Sequence, residues 1–269
     1  MPSITPSSPS RSLAVVTGAT AGIGRVFCER LAARGHDLVL VARDRARLEA
    51  TAAALADRHG VVATPHPCDL ADPAALEALA AWLAGRPRVD VLVNNAGFGT
   101  MGALATAPAA GQTAMVRVHC EAPVRLTQAV LPGMLARDAG LVVHVASVAA
   151  FMTAPGNATY SATKAFLVML ATGMSTELAG TGVRVQALCP GFTRTEFHER
   201  ARMAVGEIPR PLWMSAERVV DASLAAADRG GPVVVVPGAG YRAVVAGVRH
   251  VPLRLMTWLL THAPRPRRH

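Results

Sequence analysis

Thr17-Gly-Ala-Thr-Ala-Gly-Ile-Gly24 decides how this chain is read. An apolar, β-branched run, Leu13–Thr17, leads into it, and a helical pattern, Gly22–Arg34, leads out. Glycines at such a junction allow a tight turn and close approach of the backbone to a pyrophosphate. The helix N-terminus then offers N–H groups and the positive end of its dipole to the phosphates. The spacing is Gly-x-x-x-Gly-x-Gly over Gly18, Gly22 and Gly24, with Thr20 and Ile23 inside the turn.

The same alternation continues outward. Strands are expected at Asp37–Ala42, Val61–His66, Val89–Val93, Leu141–Val145, Val183–Leu188 and Val233–Val236. Helices are expected at Asp44–His59, from Asp72-Pro73, over Gln112–Arg137 with a kink near Pro123, and over Asn157–Ala179 and Ser215–Asp228. Asp72 reads as an N-cap with Pro at the first helical position. Short strands apolar on both faces belong in a buried parallel sheet. Alternation with helices predicts a doubly wound α/β domain, a Rossmann fold of about seven strands. Residues 1–11 read as a flexible tail without signal-peptide character. Residues 12–238 form the expected catalytic domain, and 239–269 a basic, apolar appendage.

Further motifs stand at the strand ends in order. Asn94-Asn-Ala-Gly97 follows the fourth strand and Ser147 the fifth, and Tyr160-Ser-Ala-Thr-Lys164 begins thirteen residues after that serine. Pro190-Gly191, trailed by Thr193 and Thr195, closes the sixth. As an ordered set over about residues 12–238, these motifs resemble the short-chain dehydrogenase/reductase family. The resemblance implies a nicotinamide cofactor bound along the glycine turn, with Asn95, Ala96 and Gly97 near the adenosine ribose and Asn94 tying neighbouring strands. It places Asp69 and Leu70, from Cys68-Asp-Leu70, at the adenine. It places Pro190, Gly191, Thr193 and Thr195 at the nicotinamide and phosphates, and Tyr160 and Lys164 at the nicotinamide ribose.

The second strand ends Leu40-Val-Ala-Arg-Asp44. An acid at its end would accept hydrogen bonds from a ribose 2′-hydroxyl and select NAD(H). Ala42 holds that place by resemblance, and Arg43 beside it suits a bidentate grip on a 2′-phosphate. Asp44 is a rival acid, read instead as the N-cap of the next helix. NADP(H) is therefore favoured over NAD(H).

Hydride transfer to a ketone needs a proton for the developing alkoxide. Tyr160 and Lys164 are four residues apart in a helical segment and share a face. A fixed charge on Lys164 is expected to stabilise tyrosinate and lower the tyrosine pKa from about 10. Ser147 is expected to hydrogen-bond the substrate oxygen. Lys164 is the one lysine of the chain, beside 26 arginines, where ordinary composition would give about a dozen or more. The family places an asparagine in the long helix, near Met115-Val-Arg-Val-His-Cys-Glu-Ala-Pro123, to hold a water that relays protons from the lysine. His119 stands there, and it either maintains a relay of different pH dependence or fills space.

Residues 193–214 correspond to the family's substrate lid, with Phe197, Met203, Ile208, Leu212, Trp213 and Met214. Phe98, Phe151, Met152 and Trp213 are read as the walls of a cleft for a small hydrophobic ketone or secondary alcohol. Each is also explicable as ordinary core packing.

The chain is 51% hydrophobic and 17% charged, which excludes disorder over most of its 269 residues. The formal charge of +9 is localised. After Asp228 no acid occurs while seven arginines follow, and the first 228 residues carry 20 basic against 18 acidic groups. No recognition motif accompanies the charge, so nucleic acid is not an expected partner. Arginines beside Met256 and Trp258 suit either a subunit boundary, a cover for the cleft or a peripheral membrane contact. The four cysteines are widely spaced, pointing to a reduced, cytoplasmic compartment and to no metal site. The reading is an NADP-dependent carbonyl reductase or alcohol dehydrogenase, assembled as a homodimer or homotetramer. Alternatives are a non-catalytic NADP-sensing or scaffolding protein, or a membrane-associated 3-oxoacyl (lipid) reductase.

Overall fold

Alternate residues of the first strand feed opposite cores. β1 (Leu13–Thr17) sends Val15 into one buried cluster and Ala14 and Val16 into the other, and β2 (Asp37–Ala42) divides Val39 and Val41 from Leu38 and Leu40 in the same way. A two-residue side-chain period on strands apolar on both faces demands helices on both sides. The computed structural model describes residues 11–100, 102–196, 209–252, 254, 255 and 258. The expected tail before residue 11, the lid residues Phe197, Met203 and Ile208, and Met256 and the terminal arginines lie outside them.

The remaining strands are β3 (Ala63–Pro67), β4 (Val91–Asn94), β5 (Gly140–Val145), β6 (Val183–Leu188) and β7 (Val234–Val235). All pair in parallel in the order β3-β2-β1-β4-β5-β6-β7. One face is covered by α1 (Gly22–Ala33), α2 (Arg45–His59) and, further along the chain, Ala216–Asp228. The other is covered by α3 (Pro73–Ala84), by the long helix and by Ala158–Glu177. The order reverses between β1 and β4, so their connections leave to opposite sides and a crevice opens at their C-terminal ends.

Local chemistry sets the boundaries. The Asp44 side chain accepts from Arg47 N–H at 3.0 Å and caps α2, and Asp72 caps α3 with Pro73 at its first position. β3 begins two residues later than expected and carries Pro65 and Pro67, which an edge strand tolerates.

The long helix is built in three parts: α4 (Ala109–Val116), a π turn (Arg117–Glu121) and α5 (Ala122–Ala136). Pro123 has no N–H to give the His119 carbonyl four residues back, so the helix widens there. The next helices are α6 (Ala158–Glu177), α7 (Ala216–Asp228) and α8 (Ala239–His250). α8 stops two residues before Pro252. No helix among the described residues is long and apolar enough to cross a membrane.

Polar pairs also sit in the core. His144 on β5 is fully buried, and its Nδ1 accepts from the Asn94 amide at 3.2 Å while that amide also reaches Thr127. Burial pushes the His144 pKa down from 6.5 to about 4. As pH falls below 6.5 the unfolded chain therefore binds a proton that the fold refuses. Wild-type stability should drop progressively between pH 6.5 and 4. His144→Val should remove up to about 3 kcal/mol of that drop, leaving the shares of other histidines such as His36 and His66, in denaturant titrations at pH 7 and 4.5.

Candidate active site

The glycine turn is built as a cradle. Gly18 and Gly22 have φ of +67° and +50°, a left-handed conformation that side chains disfavour. A Cβ on Gly18 would lie 2.7 Å from the Asn95 amide, and one on Gly22 would lie 2.8 Å from the Thr195 methyl. A Cβ on Gly24 would overlap the Gly18 carbonyl. No side chain among the described residues caps α1, and no acid occupies its first turn. Its N–H groups thus meet an anion's requirements, and the turn fits a pyrophosphate.

The adenosine side is made by the ends of β2, β3 and β4. Arg43 is exposed just beyond Ala42. Asp69 Oδ1 accepts from Ala71 N–H at 3.0 Å in an Asx turn, and the Leu70 side chain is buried in the core. Asn95 points back into the fold, its amide donating to the Thr17 carbonyl at 2.8 Å and to Gly18 at 3.3 Å. Asn94 turns inward to β5 and α5. Arg47, absent from the sequence reading, donates to the Thr20 carbonyl at 3.3 Å and pairs with Glu196 at 2.9 Å. It therefore joins α2, the glycine turn and the segment after Thr195. An arginine among many in an arginine-rich helix gives no signal of that role.

Ser147 lies two residues past the end of β5 and caps a short 3-10 turn, its Oγ accepting from Ala149 N–H at 3.1 Å. A hydrogen bond between Ser147 and the Tyr160 phenol lowers the pKa of that phenol, but burial raises it more, to about 12. Lys164 is 5% exposed, with Nζ donating to the Val145 carbonyl at 2.8 Å and lying 5.7 Å from the Tyr160 ring centroid. Burial lowers its own pKa from 10.5 to about 8, opposed by Cys120 and Cys189. The expected depression of Tyr160 by Lys164 is corrected here. Desolvation of the phenolate outweighs the Ser147 hydrogen bond, and burial draws Lys164 toward its own neutral form. The pair is therefore set as a neutral phenol beside a lysine that titrates near 8.

His119 sits in the π turn, 1% exposed. Its Nε2 accepts from Phe98 N–H at 3.1 Å and its Nδ1 lies 2.9 Å from the Thr163 hydroxyl, which itself donates to the Tyr160 carbonyl at 2.8 Å. The bonding assigns a neutral ring protonated on Nδ1. Burial and the Lys164 charge hold its pKa well below 6.5. The ring packs edge-on to both Phe98 and Tyr160, with centroids 5.9 Å apart in each pair. Gly97 admits it, since a Cβ there would meet Nε2 at 2.7 Å.

Pro190 is buried and receives Val148 N–H at 3.0 Å. Thr193 is buried, its hydroxyl donating to the Gly191 carbonyl at 3.0 Å. The Trp213 ring lies 5.8 Å from that of Phe192. Phe98, Phe151 and Met152 are half-buried, Phe98 against His119 and the other two just past Ser147. Tyr241, from α8, was also missed by the sequence reading. Its hydroxyl accepts from Phe192 N–H and donates to the Leu212 carbonyl. Its only sequence signal is that the chain holds just two tyrosines.

A parallel sheet with a phosphate cradle at its switch point, and a Ser-Tyr-Lys group beside it, defines a nucleotide-dependent oxidoreductase. The family described as short chain dehydrogenase matches residues 12–205, and the chain belongs to that family. Relatives include a very-long-chain 3-oxoacyl-CoA reductase from Laccaria bicolor, 37% identical over 74% of this chain, which spans only 59% of that protein's length. A granaticin polyketide synthase putative ketoacyl reductase from Streptomyces violaceoruber is 38% identical over 74% of each chain. A short-chain dehydrogenase from Sphingobium yanoikuyae, solved in complex with NADPH, is 36% identical with a TM-score of 0.81, covering 96% of this chain and 98% of its own. A bulky-bulky ketone specific alcohol dehydrogenase from Comamonas testosteroni is 30% identical with a TM-score of 0.78, covering 97% of this chain and 98% of its own.

Burying Lys164 has a thermodynamic consequence. Its folded pKa near 8 lies below the ordinary 10.5, so below pH 8 the fold carries a desolvated charge that the unfolded chain solvates. Stability should rise with pH between 8 and 10.5. Lys164→Met should stabilise the protein by about 1–3 kcal/mol at pH 7 and by less at pH 9.5, measured by urea unfolding at both values.

Proposed function

We propose that the protein reduces a hydrophobic ketone to a secondary alcohol with NADPH, using Tyr160 as the proton donor. One observation carries this reading: the Tyr160 phenol is hydrogen-bonded to Ser147 and has Lys164 Nζ 5.7 Å from its ring centroid. A bound NADPH supplies the hydride. Ser147 orients the carbonyl oxygen and stabilises the charge that develops on it. Tyr160 donates its hydroxyl proton to that oxygen. The charge of Lys164 stabilises the tyrosinate left behind. Preference for NADP(H) rests on Ala42 ending β2 without an acid and on the exposed Arg43 beside it. The half-buried Phe98, Phe151 and Trp213 support an apolar substrate, as do the names of the ketone- and ketoacyl-reducing relatives.

His119 serves here as a positioning residue. Both of its ring nitrogens are committed, one to Phe98 and one to Thr163, and its edge buttresses the Tyr160 ring.

Tyr160→Phe should lower kcat for ketone reduction by about 100- to 10,000-fold. NADPH affinity, followed by fluorescence, should stay near wild type. Undiminished turnover would refute the catalytic role. In wild type, kcat/KM should decline above pH 8 as Lys164 loses its charge.

His119→Asn should lower kcat about tenfold through loss of the two anchoring bonds. Its pH–rate profile should superimpose on that of wild type after scaling. A displaced profile would instead make His119 part of the proton path.

A further inference from the structure

Tyr241 lies 50 residues beyond Gly191 in sequence but against it in space. A Cβ on Gly191 would overlap the Tyr241 ring, although the glycine's φ is not in the left-handed region. Gly191 is therefore demanded by the ring rather than by the backbone turn. The ring ends in a hydroxyl that makes two directed bonds. It accepts from Phe192 N–H at 3.0 Å and donates to the Leu212 carbonyl at 2.7 Å.

Phe192 lies four residues after β6 and Leu212 four residues before α7. Each is followed within two residues by one strand of a parallel bridge, Thr193 with Met214, in which Arg194 N–H donates to Met214 and Met214 N–H donates to Phe192. In such a bridge the bonds come from the neighbours of Thr193, so its own N–H and carbonyl face the opposite edge. The ring of Phe192 and that of Trp213, the residue after Leu212, meet at a 45° tilt with centroids 5.8 Å apart. A single hydroxyl thus ties the turn after β6 to the Arg210–Leu212 turn that precedes α7, beside the Phe192–Trp213 ring pair.

We propose that Tyr241 is a positioning residue for the reaction, and that α8 is through it a working wall of the active site. The tyrosine sets the backbone of Gly191–Thr193 and the Phe192–Trp213 pair. The proposal rests on the reductase reading above, in that this turn borders the nicotinamide half of the cleft. Phenylalanine in its place keeps the ring against Gly191 and removes both bonds.

The test compares wild type, Tyr241→Phe and Gly191→Ala. NADPH binding by wild type is measured first by fluorescence titration, and its absence would overturn the reductase reading before any variant is considered. Hydrogen exchange of the Phe192 amide, measured without ligand, reports the bond from Tyr241 directly. Tyr241→Phe should accelerate that exchange about tenfold, since a bond of ordinary net strength is lost. It should also raise the NADPH Kd and the ketone KM, each about three- to tenfold. Gly191→Ala, whose methyl displaces the ring, should reproduce the same pattern. Faster exchange in Tyr241→Phe with unchanged Kd and KM would overturn the proposal and leave the residue a purely structural tie. Unchanged exchange would overturn the geometry on which it stands.

Discussion

The cleft depends on one threonine hydroxyl. Thr17 ends β1, is 1% exposed, and its Oγ donates to the Val93 carbonyl at 3.3 Å. The same oxygen accepts the N–H groups of Asn95 and Ala96, both at 2.9 Å. Asn95 returns two bonds from its amide to the carbonyls of Thr17 and Gly18. The ends of β1 and β4 are thereby locked where the strand order reverses, the place at which their connections must part. With those ends fixed, the glycine turn, the Gly97 loop and the first turn of α1 have one mutual arrangement. A buried hydroxyl thus serves three backbone groups at once, and the low surrounding dielectric strengthens each bond.

From that junction the active site extends through the Gly97–Phe98 loop. Phe98 N–H meets His119, His119 meets Thr163, and Thr163 holds the carbonyl of Tyr160. The chain of contacts joins β4, the π turn and α6, and it ends at the residue that donates the proton in the proposed reaction. The π turn supplies the step that places His119 between them. An unbroken α-helix would have turned that side chain elsewhere, and Pro123 prevents the unbroken helix.

Burial shapes the chemistry more than pairing does. Lys164 and Tyr160 are both drawn toward their neutral forms, the lysine down to about 8 and the phenol up to about 12. That poise suits donation of a proton to a reduced carbonyl. The sequence spacing implied the opposite shift for Tyr160, because spacing reveals proximity of charge but not loss of solvent. The same blindness covers His144, which reads as an ordinary strand residue and proves to be a fully buried base.

Much of the architecture was legible in one dimension. Apolar runs on β1, β2 and β6, the caps Asp44 and Asp72, and the glycine turn are local patterns, and local patterns survive in sequence because neighbours along the chain enforce them. The order of motifs at strand ends likewise carried the family and the Ser147, Tyr160 and Lys164 group. Edge placement of β3, the π turn and the contacts of Arg47 were not legible. By itself the sequence determined a doubly wound sheet, its glycine turn and membership of an oxidoreductase family. Only the tertiary structure decided that Tyr241 presses on Gly191, that His119 has both nitrogens engaged, and which way the Tyr160 proton is held. Those outcomes depend on desolvation and on contacts between residues far apart in the chain, and neither quantity is written in local order.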